Sequence, residues 1–211
     1  MKKVLIINAH HKWEGISEGK LNRALTDQAI SFFKERGLIV LETVISEGYD
    51  VEEEVNKHTE ADLVLLQTPV FWFNPPYTYK KYTDEVFMNG MLTRKITWGD
   101  GRIDEQPDKQ YGTGGQLSGR KFFVSASWNA PHYAFNDPTQ VLLKGKAPED
   151  VLFNVAMNYK FSGYDILPQF NSFDVVKKPQ PELYFKEYNK HLEMIFALSK
   201  STQHSAFPVR N

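Results

Sequence analysis

Short apolar runs that alternate with helix-patterned segments set the tightest limit on what this chain can fold into. Val4-Leu5-Ile6-Ile7 is an unbroken run of β-branched residues and leucine, which suits a strand buried on both faces of a parallel sheet. Leu21, Leu25, Ala29 and Phe32 then recur at helical spacing with Ala24 and Phe33 beside them, and Gly37 supplies a stop after Lys34 and Arg36. The same reading predicts strands over Leu38 to Ile45, Asp62 to Thr68 and Lys121 to Ser127, and a strand region from Tyr164 to Val175 broken by Pro168. Helices are expected over Val51 to Ala61, Tyr77 to Met88, Pro148 to Tyr159 and Pro181 to Leu198. Alternating strands and helices imply a parallel sheet covered on both faces, because each crossover needs a helix-length connection. Five such units give an α/β, flavodoxin-like three-layer sandwich with a five-stranded parallel sheet in the order 2-1-3-4-5. Ligands in such folds sit outside the C-terminal strand ends where the order reverses, so the loops after strands one, three and four should build the site.

Composition narrows the function classes. At 211 residues the chain suits one sizeable core, and two full domains would be cramped. Its 25 basic and 26 acidic residues leave a formal charge of −1, without the basic excess expected of a nucleic-acid partner. With no cysteine there is no disulfide framework, thiolate nucleophile or cysteine-based metal site, which suits an intracellular protein. The apolar run after Lys3 spans four residues, against roughly 7–15 in a secretory leader, and no stretch approaches the roughly 20 of a membrane span. The expectation is a soluble cytoplasmic protein with no membrane insertion.

The strand-end loops hold the unusual residues. The first runs from Asn8 to Asn22 and has no glycine before Trp13, so it lacks the G-x-G-x-x-G of a dinucleotide-binding Rossmann turn. It does carry Ser17 and Gly19 at a helix start, where free N–H groups and the helix dipole can hold a phosphate, with the Ser17 hydroxyl and Lys20 as added donors. Ser17 acting merely as a helix cap is the competing reading. His10 and His11 cannot easily face one ligand. The loop after the third strand, Gln67 to Tyr77, has three consecutive aromatics bracketed by prolines, which either cover a flat ligand or pack in an interface. The loop after the fourth strand, Ser127 to Tyr133, again sets aromatics beside polar groups, and Tyr111-Gly-Thr-Gly-Gly115 lies in the long loop from Asn89 to Arg120. No HExxH, H-x₃-H or G-x-S-x-G pattern is present, so no metal site or hydrolase elbow is expected. Glu52-Glu53-Glu54 reads as a solvated helix face.

Several segments together resemble the modulator-of-drug-activity-B type of NAD(P)H:quinone oxidoreductase, within the flavodoxin-like quinone reductases. They are Ile6-Ile7-Asn8 with Ser17-x-Gly-x-Leu-Asn22, Pro69-Val-Phe-Trp72 with Pro76 and Lys80-Lys-Tyr-x-Asp84-x-Val-Phe87, Tyr111-Gly-x-Gly-Gly115, Ser127-Trp-Asn-Ala-Pro131, and Tyr188-x-x-His191-Leu. The match runs in order from Met1 to about Phe196. It implies FAD bound at a homodimer interface, NADPH as co-substrate, and two-electron reduction of a quinone by hydride transfer through flavin N5. Carried over by position, Ser17, Glu18, Gly19, Lys20, Leu21, Asn22, Arg23 and Ala24 would hold the pyrophosphate. Pro69, Val70, Phe71 and Trp72 with Ser127, Trp128, Asn129 and Ala130 would frame the isoalloxazine, and Tyr111 would touch it. His10 matches more distant quinone reductases in which a histidine approaches the cofactor phosphates. Three departures stand out: His10-His11 where smaller residues are usual, Phe71 in place of Trp, and Ser127 in place of Thr. His132 or Tyr133 could protonate the departing quinone oxygen. Related alternatives are an azo- or nitro-compound reductase, a flavodoxin-like electron carrier, and a redox-sensing regulatory subunit of a membrane transporter. On this reading residues 1–198 form the FAD-binding domain and 199–211 a flexible tail.

Overall fold

The apolar runs lie side by side as one parallel sheet in a computed structural model that describes residues 1–200. The elements are β1 (Lys3–Asn8), α1 (Lys20–Glu35), β2 (Ile39–Val44), α2 (Val51–Glu60), β3 (Leu63–Pro69), α3 (Tyr77–Leu92) and β4 (Lys121–Ser127). They are followed by α4 (Pro148–Val151), α5 (Phe153–Phe161), β5 (Asp165–Ile166), β6 (Phe170–Ser172) and α6 (Pro181–Lys200). The strand order is β2-β1-β3-β4-β5, with β6 also pairing with β4. Both short strands run parallel to β4, β5 beside Lys121–Phe122 and β6 beside Ser125–Ser127. They are one broken fifth strand, with Pro168 in the gap where its missing N–H cannot serve a ladder. The flavodoxin-like α/β expectation is borne out.

The strands read as continuous apolar runs because both faces are covered. Val4, Ile6, Leu63, Leu65 and Phe123 pack against α1 and α6, while Leu5, Ile7, Val64, Leu66 and Phe122 pack against α2, α3 and α5. After α1 the chain turns at Gly37, whose φ of 76° lets its N–H reach Lys34 O while Leu38 N–H reaches Phe33 O. The register pairs Asn8 with Gln67 and Pro69 with Ser127, so the C-terminal ends of β1, β3 and β4 finish close together.

Two local expectations change. The segment from Pro148 to Tyr159 is two helices broken at Leu152 rather than one. Glu54 is fully buried, unlike exposed Glu52 and Glu53, and binds Thr43, Lys57 and Tyr82. The last helix takes in Ser199 and Lys200, and the rest of the expected tail lies outside the described residues. No described helix is long and apolar enough to cross a membrane.

Candidate active site

At the end of β1 the side chains bind one another before they could bind a ligand. Asn22 donates its amide to Asn8 Oδ1 at 2.7 Å and accepts from Gln67 Nε2 at 3.2 Å, which ties α1 to β1 and β3. The loop closes on itself through Trp13 N–H to Ser17 O and Ser17 N–H to Trp13 O, and Glu18 accepts from Gly15 N–H. The helix then starts at Gly19, where φ is 77° and no side chain caps the first turn. Ser17 is therefore not the cap; its hydroxyl lies 3.2 Å from His10 Nε2. The uncapped first turn of α1 leaves outward N–H groups at the positive end of the helix dipole. Glycine suits this position, because φ is positive and an added Cβ would come within 2.6 Å of His10 Nδ1, so the imidazole would have to shift. Partial burial holds the His10 imidazole below its ordinary pKa, with His11 adding to the shift and the Ser17 contact opposing it. The two histidines point apart: His10 meets Phe71 edge-on at 6.5 Å, whereas His11 packs on Trp13 and Tyr77.

After β3, Val70 N–H bonds to Ser127 O at 2.9 Å, so the third and fourth loops leave the sheet together. The chain then makes a two-residue hairpin in which Phe71 and Asn74 exchange both backbone hydrogen bonds, at 2.8 and 3.1 Å. The central residues Trp72 and Phe73 have φ of 51° and 66°. Positive φ at both positions is the type I′ pattern that favours Asn-Gly, and each bulky residue held there costs about 1–3 kcal/mol. Asn154 Nδ2 donates to Asn74 Oδ1 and steadies the turn from α5. Trp72 is 92% exposed, so burial does not offset that strain.

The fourth loop divides by role. Trp128 is only 2% exposed, donates its indole N–H to Asn171 Oδ1 at 2.8 Å, and packs edge-on to Phe135. Tyr133 lines the mouth and is 69% exposed, whereas His132 packs against Phe173 and does not line the cavity. Between the third and fourth loops opens a cavity of about 910 Å³, with Phe71, Trp72, Phe73 and Tyr77 on one side and Asn129 and Ala130 on another. Trp13 and Ile16 of the first loop close it toward α1.

The carried-over site is thus only partly assembled within one chain. Val70, Phe71, Trp72, Trp128, Asn129 and Ala130 line one cavity, while Pro69 and Ser127 are buried in the strands beneath it. His10 and the start of α1 adjoin this cavity through Phe71, Trp13 and Ile16. Arg23 turns away to Asp27 and Glu42, and Leu21 packs on the α1–α6 core. Tyr111 lies elsewhere, 70% exposed, beside Phe161 and Arg102. Phe73 and Tyr77 were legible as continuations of the aromatic run, whereas Asp174, Lys177 and Lys178, also on the wall, carried no sequence signal. Among the described residues no cluster of three His, Asp or Glu side chains could hold a metal ion.

Fold and site together define an α/β protein with an aromatic strand-end cavity next to an anion-ready helix start. The chain belongs to the family of the flavodoxin-like fold, whose model matches residues 2–194. It is 41% identical over 182 residues to the NADPH:quinone oxidoreductase MdaB of Haemophilus influenzae, covering 86% of this chain and 93% of that protein. A solved structure from Klebsiella pneumoniae described as a quinone reductase superposes with a TM-score of 0.76 at 20% identity, covering all of this chain and 88% of the other. General stress protein 14 of Treponema denticola, solved in complex with FMN, superposes with a TM-score of 0.59 at 20% identity, covering 96% of this chain and 100% of that one. The resemblance read from the sequence motifs is borne out by the first of these relatives.

Proposed function

We propose that this chain is a cytoplasmic, FAD-dependent NADPH:quinone oxidoreductase. The observation that carries the reading is the exposed Trp72-Phe73 turn, strained and unpacked, facing a cavity beside the uncapped start of α1. Strain of this kind persists where a ligand uses it. Aromatic walls suit a flat ring system, and outward helix N–H groups suit its phosphates, so the residues present fit a flavin nucleotide. The similarity to an NADPH:quinone oxidoreductase over most of both chains supports the same assignment. The chemistry supplied by a bound flavin is hydride acceptance from NADPH and hydride delivery to the quinone.

The chain's own residues supply binding and orientation. The first-turn N–H groups of α1, with Ser17 and Lys20 beside them, hold the pyrophosphate. Asn22 acts behind them by fixing α1 to the strand ends, and His10, whose pKa partial burial lowers, packs over the helix start. Of the two loop segments, the N–H groups of Trp72, Asn129 and Ala130 would be the ones to meet the ring edge, since Val70, Phe71 and Trp128 donate theirs to Ser127 O, Asn74 O and Ser172 O. Trp72 and Phe73 cover the acceptor face and exclude water. The Tyr133 phenol, which lines the cavity, would donate a proton to the quinone oxygen, whereas His132 packs on Phe173 outside the lining.

A homodimer completes this reading. Met88 and Leu92 on α3 and Phe153 on α5 are exposed apolar side chains that a second copy would cover, and Tyr111 would reach the site from that copy. Purified protein is expected to be yellow, to release FAD rather than FMN on denaturation, and to reduce menadione with NADPH. Colourless protein that takes up no flavin overturns the proposal. A kcat/KM for an azo dye far above that for menadione reassigns the acceptor, and a flavin-bound monomer in light scattering removes the dimer.

A further inference from the structure

The cavity wall is mostly aromatic and apolar, with Asn129 and Gln140 as neutral polar groups. Among the described lining residues only Asp174, Lys177 and Lys178 carry a full charge, and all three come from the segment after β6. That segment is pinned to the fourth loop by Asp174 N–H to Ala130 O and Val175 N–H to Trp128 O, both at 3.1 Å. Asp174 adopts a φ of 56°, and Lys178 N–H returns to its carbonyl at 3.1 Å, so the two lysines follow a fixed turn. Both are exposed, and neither takes part in any of the ion pairs among the described residues. By contrast, Lys12 at the first loop is paired with Glu18.

The sheet order places these lysines opposite the start of α1. From β1 through β3 and β4 to β6 there are three strand spacings, which is about 14 Å. The lysine pair therefore sits on the cavity wall on the β6 side, and the start of α1 lies beyond Trp13 and Ile16 on the β1 side. A quinone has no anionic group to engage a lysine pair. A flavin nucleotide whose phosphates sit at α1 does not need a second phosphate site across the cavity. A nicotinamide dinucleotide does: with its ring stacked between the aromatic walls and the α1 end taken, its own phosphates must find cations elsewhere. Its 2′-phosphate, close to dianionic at neutral pH, matches two unpaired ammonium groups in charge.

We propose that Lys177 and Lys178 hold the 2′-phosphate of the hydride donor and so select NADPH over NADH. The inference rests on the reductase reading above. The test compares wild-type, flavin-loaded protein with the Lys177→Ala/Lys178→Ala double variant and with a Lys177→Arg/Lys178→Arg control. The alanine variant is expected to raise KM for NADPH about fivefold or more, a size suited to exposed charge pairs. Its kcat and its KM values for NADH and menadione should stay within about twofold, and the arginine control should recover the wild-type KM for NADPH. Calorimetric titration with NADP⁺ gives a readout independent of turnover: its Kd should rise by the same factor, and raising the salt should weaken wild-type binding more than variant binding. Equal losses with NADPH and NADH mean that the lysines read the pyrophosphate and overturn the 2′-phosphate assignment, as does an unchanged NADP⁺ Kd. Failure of the reductase reading looks different, since the wild type itself would then bind no flavin and turn over neither nucleotide.

Discussion

Two regions of this molecule are equally rich in aromatic residues and treat them in opposite ways. Beneath α2 and α3, Tyr79, Tyr82, Tyr159 and Tyr164 are buried and their hydroxyls are engaged: Tyr82 donates to Glu54 Oε2 at 2.8 Å, and His58 lies 3.0 Å from both Tyr82 and Tyr164. Tyr79 reaches Tyr159, whose ring stacks on Phe122 with centroids 3.5 Å apart. Glu54 also accepts from Thr43 and from Lys57 Nζ at 2.6 Å. At the strand ends, Trp13, Trp72, Tyr77 and Tyr133 stand exposed around a cavity, and Trp72 and Phe73 adopt a backbone that neither favours. The first region spends its polar groups on one another and fixes a single packing. The second leaves its rings unsatisfied, which is what a surface waiting for a flat ligand requires.

The sharpest way to break this contrast is to remove Glu54. Glu54→Ala leaves Thr43, Tyr82 and Lys57 without their shared acceptor, and losing one partner of a buried ion pair costs about 3–5 kcal/mol. Because Lys57 is partly exposed, the lower end of that range is expected in urea unfolding, with the flavin content of the folded fraction unchanged. Trp72→Ala should change unfolding by less than about 0.5 kcal/mol while raising KM for the quinone. Similar stability losses in both variants would erase the distinction. Acid tests the buried region without mutation. Burial pushes the His58 pKa down to about 3, so the unfolded chain binds the proton that the folded chain refuses. The stability this gives is full above pH 6.5 and is lost as pH falls from about 6.5 toward 3, by about 1.4 kcal/mol per unit. His191, pushed down to about 4 by burial, adds in the same direction. His58→Gln should flatten the slope between pH 6 and 4 by about one proton; an unchanged slope would show that His58 is not the group responsible.

The same contrast explains what the sequence made legible. The strands and most helices were readable because burial on two faces demands continuous apolar runs, and the site's location follows from the strand order. Glu54 was misread because the acidic start of α2 looks like any solvated helix face; its partners Thr43 and Tyr82 lie 11 and 28 residues away along the chain. Trp128 lines the cavity, but the tie of its indole N–H to Asn171, 43 residues on, has no local sequence signal. The type I′ turn was invisible, since its usual Asn-Gly signature is replaced by Trp-Phe. Tyr111, which the resemblance places against the flavin, does not line this cavity but lies beside Phe161 and Arg102.

Two smaller predictions probe the exposed region on its own terms. Replacing Trp72-Phe73 by Asn-Gly (W72N/F73G) gives the turn the residues its geometry favours and should stabilise the fold by about 1–3 kcal/mol, while reducing menadione turnover with NADPH. Stabilisation without loss of turnover would mean that the strain serves no ligand. A more local effect is expected at Gly19→Ala. The positive φ and the approach of the new Cβ to His10 together cost about 1 kcal/mol, since the imidazole can shift while the backbone cannot. The displaced ring would tilt over the uncapped start of α1, so flavin affinity should fall more than stability does. His10→Ala in the Gly19→Ala background removes the clash and should restore part of the lost affinity, leaving only the φ penalty. If the double variant binds flavin no better than Gly19→Ala alone, the His10 ring is not what makes this glycine necessary, and the backbone turn by itself sets the helix start.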